Sequence, residues 1–389
     1  MPRILIDITR LIYRRLVGRL PTGIDRLSLE YVRHYAHTAR AVLSLWGLHA
    51  VLSETDSDRA FSMLLDGQTD GARVARQLIL KACLYGWMNT NVAGCYFFNT
   101  GHMGLESKGY ALLLKLLGVR PIFVVCDLIP ITHPDYCRNG EQKRHIARMR
   151  NALSRGHGII TISNDTLDKL KGFSNRAGLP VPPTVVASLA SGLPGLAPGP
   201  RPIKAPYFVV LGTIEPRKNH SLLLQIWRQL AEHSGEAAPR LVIVGQRGWK
   251  HENVVDMLER SERLRSFVFE ENNCSDEKVI TYLHHAQALL YPSFAEGHGL
   301  PVSEALSLGV PVIASDLPVF REFAGAIPEY ANPLDAQRWM ELVDEYTDAH
   351  SARRRAQLER IADYRPTTWA QHLNTVDEFL SQLGKRPPA

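Results

Sequence analysis

The sequence predicts an α/β protein built from two doubly wound halves, and three observations lead there. Short apolar runs of strand length recur along the chain and alternate with helical stretches, the pattern of parallel sheets covered by helices. Eight of the 24 prolines fall within residues 178–206, which marks a stiff connector between domains. A length of 389 residues with 45% hydrophobic residues can supply two substantial cores.

In the first half, residues 4–8, 42–45, 95–98, 122–126 and 159–162 read as buried strands. Residues 21–26 (PTGIDR) precede a helical stretch reaching about Tyr35, so the backbone at Gly23 could approach an anion at a helix start. The strand at 122–126 leads into Asp127, at the carboxyl end where open parallel sheets bind ligands, and then into His133-Pro134-Asp135-Tyr136. His133 is a second candidate in that loop. Ser163 and Asn164 are read as the cap of a helix over 165–171. Strand character returns at 184–188, so the first domain is expected over residues 1–190.

In the second half, residues 207–213 (YFVVLGT) read as a buried parallel strand, followed by Glu215-Pro216-Arg217-Lys218-Asn219-His220 and a helix over 221–233. Further strands are expected at 241–245, 267–270, 288–291 and 312–314, giving a domain over 205–364. Arg217 and Lys218 lie at a helix start that already carries partial positive charge, beside Asn219 as the expected N-cap. A bound polyanion would remove that conflict; exposure to solvent would leave it at a few tenths of a kcal/mol.

The stretch 294–313, FAEGHGLPVSEALSLGVPVI, places Glu296 and Glu304 eight positions apart across a loop-to-helix junction. Gly297 and Gly299 leave room for a ligand at the backbone, Pro301 fits the first helical position, and residues 302–308 continue as a helix. Free N–H groups there would face an anion. Glu296 then lies in the loop beside the anion, and Glu304 about one turn in, its acceptor-only carboxylate able to grip two neighbouring hydroxyls. Residues 333–350 and 351–363 read as helices, and after the break at Arg365-Pro366 a last helix runs over 369–383.

The segments carrying Arg217, Lys218, Glu296 and Glu304 closely resemble glycosyltransferase family 4, retaining enzymes that use nucleotide sugars and have the GT-B architecture. That family carries a Glu, seven intervening residues and a second Glu, a glycine-rich link such as EGHGLP between them, and an upstream Arg-Lys pair. The resemblance is strongest over residues 207–323, where GTIEPRKN, LVIVGQRGW and GVPVIASDLPVFRE look like polysaccharide and O-antigen mannosyl- or rhamnosyl-type members. It implies two Rossmann-like domains facing across a cleft, residues 1–190 for the acceptor and 205–364 for the donor. It also implies a terminal helix, residues 366–385, that crosses back to the first domain; sequence alone does not separate this from a tail packed on its own domain.

The resemblance further implies transfer of a hexose with retained anomeric configuration. Glu296 would contact the donor sugar and support charge at its anomeric carbon, Glu304 would hold the ribose, and Arg217 and Lys218 the diphosphate. Gly23, Gly297, Gly299 and Leu300 would line the donor site. Asp25 stands where many members have a second glycine, with Arg26 as its expected partner, and Cys126 stands where many have a histidine; Asp127 remains as a catalytic candidate beside His133. GDP-mannose or GDP-rhamnose leads among donors, ahead of UDP-sugars, with a growing lipid-linked polysaccharide as acceptor. The base would be read near residues 247–251 and 271–275.

Lys and Arg number 45 against 39 Asp and Glu, a net charge of +6. Much of the excess lies in the first 40 residues, where Arg3, Arg10, Arg14, Arg15, Arg19, Arg26, Arg33 and Arg40 face only Asp7, Asp25 and Glu30. These arginines alternate with Leu11, Ile12, Tyr13, Leu16, Val17 and Leu20, a composition suited to peripheral contact with an anionic membrane or to a lipid-linked pyrophosphate. The charge lacks the interleaved aromatics or helix-turn-helix pattern of a nucleic-acid binder. No G-x-G-x-x-G follows a strand, which argues against a nicotinamide oxidoreductase.

Five cysteines without a CxxC pair favour a reducing cytosol. Neither metal nor cofactor is expected, since the only Asp-x-Asp triplet, Asp56-Ser57-Asp58, follows no strand. The N-terminus lacks the apolar core of a signal peptide, and the apolar-rich stretch 74–98 is cut by Arg76 and Lys81. The expectation is a soluble or peripheral cytoplasmic protein, at the inner face of the membrane if peripheral. A catalytically silent sugar-nucleotide-binding module is the alternative, separable from an enzyme by turnover.

Overall fold

The structure is a computed structural model that describes residues 4–18, 21–45, 48–66, 70–85, 91–193, 195–249 and 252–385. It divides into two compact units. The first comprises Met1–Ile131, Gly140–Leu189 and Thr368–Ala389, the second Thr132–Asn139 and Ala190–Thr367. Residues 132–139 thus belong with the second unit, interrupting the single run 1–190 expected for the first domain.

The first unit holds a seven-stranded sheet formed by β1 (Ile4–Asp7), β2 (Ala39–Leu45), β3 (Leu48–Val51), β4 (Tyr96–Asn99), β5 (Arg120–Val125), β6 (Gly158–Thr161) and β7 (Thr184–Val186), in the order β3-β2-β1-β4-β5-β6-β7. Every pairing is parallel except β2 with the edge strand β3, which pair Val42 with Val51 and Leu43 with Ala50 in antiparallel register. Its helices are α1 (Thr9–Leu16), α2 (Gly23–Tyr35), α3 (Glu54–Leu65), α4 (Gly71–Tyr85), α5 (Lys108–Leu116), α6 (Ile129–Thr132), α7 (Glu141–Arg155) and α8 (Asn164–Ala177). Local chemistry sets several ends. Thr22 and Asp25 close a capping box on α2, and Ser163 caps α8, its hydroxyl accepting from the Thr166 N–H at 3.1 Å. Gly178, in the left-handed region, ends α8.

The second unit holds a six-stranded parallel sheet of β8 (Tyr207–Leu211), β9 (Arg240–Val244), β10 (Val268–Glu271), β11 (Leu289–Tyr291), β12 (Val312–Ser315) and β13 (Glu329–Ala331), ordered β10-β9-β8-β11-β12-β13. Between and after the strands run α9 (His220–Ser234), α10 (Glu252–Arg260), α11 (Glu262–Arg265), α12 (Asp276–His285), α13 (Leu300–Ser307), α14 (Pro318–Ala324), α15 (Ala336–Thr347) and α16 (Ala352–Ala362). Both sheet faces are buried. Phe208 and Val210 enter the core with Trp227 and Trp339, while Tyr207, Val209 and Leu211 enter the opposite one with Tyr291 and Phe320. This is why β8 reads as continuous apolar sequence rather than as alternation.

The last helix, α17 (Trp369–Gly384), packs on the first unit. Tyr96 Oη donates to Leu380 O at 3.0 Å, Tyr35 Oη donates to Asp377 Oδ1 at 2.7 Å, and the His372 ring bonds the Ser188 carbonyl at 3.1 Å. Phe379, Leu380 and Leu383 are buried, each contributing about 1.5–3 kcal/mol of apolar burial.

Candidate functional site

The carboxyl ends of β8 and β11 bring four charged side chains together. Past β8, Gly212 carries a φ of +136°, and a Cβ on Gly245 would lie 1.9 Å from the Gly212 carbonyl oxygen, so only glycine allows these backbones to pack. The chain then makes a tight turn over Pro216–Lys218 and enters α9. Within it the Arg217 guanidinium pairs with Glu215 at 2.6 Å and with Glu296 Oε2 at 2.7 Å, and donates to the Ala295 carbonyl at 3.0 Å. Lys218 Nζ reaches Glu296 Oε1 at 2.6 Å and donates to the Tyr291 hydroxyl. Glu215, Lys218 and Glu296 are all buried, at 5–7% exposure.

These contacts revise the expectation at the helix start. The positive charge beside α9 is balanced by the chain's own Glu215 and Glu296. Asn219 does not cap α9 with its side chain; it adopts a left-handed φ of 57° and donates to the Pro333 carbonyl at 2.9 Å. Burial alone would raise the Glu296 pKa, but Arg217 and Lys218 overcome it and hold the carboxyl at about 2. For Lys218 burial outweighs the attraction of Glu296 and lowers the pKa. For Arg217 burial is outweighed by Glu296 and Glu215, which raise it. The Glu296 carboxylate is therefore ionised at neutral pH.

Glu304 belongs to the same neighbourhood. Burial first, then Glu296, and with a smaller effect Glu304, push the Tyr291 phenol well above its ordinary value, so both glutamates stand near one ring. Glu304 is the fifth residue of α13 and is buried. Gly299, at φ +96°, precedes Leu300 at the helix start, and a Cβ there would lie 2.4 Å from Phe320 Cε1. Pro301 is thus the second residue of the helix rather than the first. Gly297 lies in the loop between Glu296 and His298, whose ring stacks on Phe323 at 4.7 Å. His220, first residue of α9, is buried with neither ring nitrogen hydrogen-bonded, and burial with nearby Lys218 lowers its pKa to about 3.

A stack of rings borders the Glu296 loop. His133 stacks on Tyr136 at 6.1 Å, and Tyr136 on Phe294 at 5.0 Å with 9° between planes. Trp249 Nε1 donates to the Tyr136 carbonyl at 3.3 Å, and Arg138 lies 4.8 Å over the indole. The sequence points to His133 and, within 247–251, to Trp249, but not to Tyr136, Phe294 or Glu215. Only Glu215 left a signal, an acid directly before Pro-Arg-Lys.

Other candidates lie in the first unit. Gly23 is the first residue of α2. Asp25, 1% exposed, pairs with Arg10 at 2.7 Å and Arg14 at 2.8 Å. Asp127 Oδ1 accepts from the N–H of Ile129, the first residue of α6, at 2.9 Å, and its carbonyl bonds His145 at 3.1 Å. Cys126 is buried, and burial, with Asp127 adding to it, pushes its thiol up to about 12. Nearby His102 has a left-handed φ of 58° and bonds the Val124 carbonyl at 2.6 Å; burial and His145 lower its pKa to about 4.

Among the proposed base-reading residues, Arg247 is forked onto both oxygens of Glu270 and reaches Glu259, and Glu271 is held by Lys278 and Tyr282. His251 lies outside the described residues. In the basic N-terminal stretch Arg33 pairs with Glu30 and Arg40 donates to the Leu52 carbonyl, while Arg3, Arg19 and Leu20 lie outside the described residues. Asp56 and Asp58 lie on α3, with Asp56 paired to Lys81 at 2.6 Å. Among the described residues no group of three or more His, Cys, Asp or Glu could hold a metal ion, and no helix is long and apolar enough to cross a membrane.

Residues 197–355 match the profile of the family described as glycosyl transferases group 1. The serotype-specific mannosyltransferase WbdA of Escherichia coli is 28% identical over 245 residues, covering 58% of this chain and 29% of that protein. The O-antigen chain mannosyltransferase B of Escherichia coli is 27% identical over 223 residues, covering 56% of this chain and 58% of that protein. The chain thus spans less than two thirds of the length of these relatives. The crystal structure of Anabaena Alr3699/HepE in complex with UDP and glucose matches with a TM-score of 0.68 at 15% identity, over 98% of this chain and 100% of that one, a likeness of fold. The two parallel-sheet units share the GT-B architecture, and residues 197–355, which contain Arg217, Lys218, Glu296 and Glu304, are similar to glycosyl transferases group 1.

Proposed function

We propose that the protein is a retaining hexosyltransferase that moves mannose or rhamnose from a nucleoside-diphosphate sugar, GDP-mannose or GDP-rhamnose first among them, to a growing lipid-linked polysaccharide in the cytoplasm. The observation that carries this reading is the buried Arg217–Glu296–Lys218 cluster, with Glu304 close by, at the carboxyl ends of parallel strands. The names of the mannosyltransferase relatives support the choice of sugar.

In this reading the diphosphate engages Arg217 and Lys218, and Glu304 takes the ribose hydroxyls. As the bond to the anomeric carbon breaks, the nucleoside diphosphate leaves with the electron pair. Arg217 and Lys218 offset the charge growing on its β-phosphate, an effect of a few kcal/mol per well-placed donor. Glu296, ionised in its buried setting, supports the positive charge on the sugar. The acceptor hydroxyl attacks from the face the leaving group departs, and its proton passes to the departing phosphate oxygen. Asp127 and His133 remain candidates for orienting that hydroxyl, and Gly23, Gly297, Gly299 and Leu300 for lining the donor. The reading requires no metal or cofactor.

Turnover of a donor panel, with the anomeric configuration of the product read by NMR, tests it. A retained configuration with a GDP-hexose, unaffected by EDTA, is the expected result. Thermal stabilisation by a nucleotide with no turnover of any donor would instead establish a silent binding module.

A further inference from the structure

Ten large hydrophobic side chains are exposed among the described residues, and they are unevenly placed. Leu196, Phe269 and Leu334 of the second unit come from three separate segments. In the first unit six fall into pairs four residues apart, Tyr13 with Val17, Leu80 with Leu84, and Leu112 with Leu116, at the spacing that puts each pair on one helix face. Leu80 is 61% exposed and Leu116 73%. On α4 the leucines continue a stripe with Arg73 and Arg76, at successive spacings of three and four residues.

The helices bearing these pairs have one sign of charge. α1 carries Arg10, Arg14 and Arg15, α4 carries Arg73, Arg76 and Lys81, α5 carries Lys108 and Lys115, and none of the three contains an Asp or Glu. Arg10 and Arg14 are tied to Asp25 and Lys81 to Asp56, but Arg73, Arg76 and Lys115 are exposed with no ion pair among the described residues. The elements adjoin: α1 packs on α4, with Arg15 against Gly71, and α4 and α5 both pack against the edge strand β3.

We propose that this flank of the first unit, the exposed faces of α4 and α5 with the end of α1 beside α4, is a seat for an anionic lipid bilayer. Leucines enter the interface while arginine and lysine meet acidic headgroups, the combination that gives interfacial binding its apolar and electrostatic parts. Exposed leucine does not suit a nucleic-acid backbone, and two copies meeting through this face would oppose like charges. The surface shares only the end of α1 with the basic N-terminal segment suggested by sequence, whose Arg10, Arg14, Arg33 and Arg40 are engaged within the fold. It deepens the reading of a lipid-linked acceptor, which such a seat would bring within reach.

Flotation of the protein with phosphatidylcholine vesicles, with and without phosphatidylglycerol, tests it. Binding is expected only with phosphatidylglycerol and should weaken as salt rises. The L80E/L84E/L112E/L116E variant should lose about tenfold or more in vesicle partitioning, and R73E/R76E should lose binding chiefly at low salt, with circular dichroism unchanged in both. Absence of wild-type binding, or binding by the leucine variant equal to wild type, would overturn the proposal. So would a concentration-dependent oligomer that the leucine variant dissolves. No donor or acceptor enters the assay, so its failure leaves the glycosyl-transfer reading standing.

Discussion

The two units use the same kind of sheet but place their charged side chains differently. In the second, Glu215, Arg217, Lys218 and Glu296 are drawn inside, each carboxylate facing a cation at 2.6–2.7 Å. In the first, the comparable buried knot is Asp25 with Arg10 and Arg14, and it joins α1 to α2 at a capping box. One cluster concentrates charge at strand ends, where chemistry can use it; the other fastens helices. A buried charge is tolerated only when paired, so the pairing shows where each unit can hold an ion, and the strand-end position shows which ion a ligand could reach.

The comparison breaks first at Glu296. Replacing Glu296 with Gln should cut kcat by about 100-fold or more, while GDP binding, measured by calorimetry, persists or tightens because Arg217 and Lys218 lose their resident anion. Asp25→Asn should instead lower stability with kcat retained, since it removes a structural pairing; equal losses of activity from both would erase the distinction. Next in size, Phe379→Ala on α17 should cost the first unit about 3–5 kcal/mol in urea unfolding, with hydrogen exchange of β8 and β11 little affected.

Acid sharpens the contrast. Glu296, at about 2 in the folded state against an ordinary 4.5, contributes stability that is complete above pH 4.5 and lost as pH falls toward 2. His102, at about 4 against 6.5, contributes stability complete above pH 6.5 and lost as pH falls from 6.5 to 4. Glu296→Gln should therefore flatten the stability profile only below pH 4.5, and His102→Gln only between pH 4 and 6.5, as read by denaturant unfolding at each pH. Smallest of all, Leu112→Lys on exposed α5 should change stability by no more than about 0.5 kcal/mol.

Much of the candidate site was legible because its residues are local. Glu296 and Glu304 share one loop and helix, and Arg217 with Lys218 follow a strand whose apolar run is unmistakable. The proline-dense connector marked the passage between units near 190. Short elements escaped: β13 spans only Glu329–Ala331, too few residues for a period to show, and the antiparallel β3 is a hairpin edge in a run of parallel strands. Asn219 suits a cap by its type, yet packing at Pro333 claims its side chain. Tyr136 carried no mark of its contact, since Phe294 lies far along the chain.

The sequence alone determined the α/β class, the two sheets and the set of acidic and basic residues available, because strand and helix periodicity and short motifs are written over neighbouring positions. Tertiary structure decided which carboxylate neutralises Arg217 and Lys218, that residues 132–139 join the second unit, and that leucines of α4 and α5 face outward. Those outcomes depend on burial and on partners distant in sequence, and a desolvated charge takes whichever opposite charge the fold brings within reach.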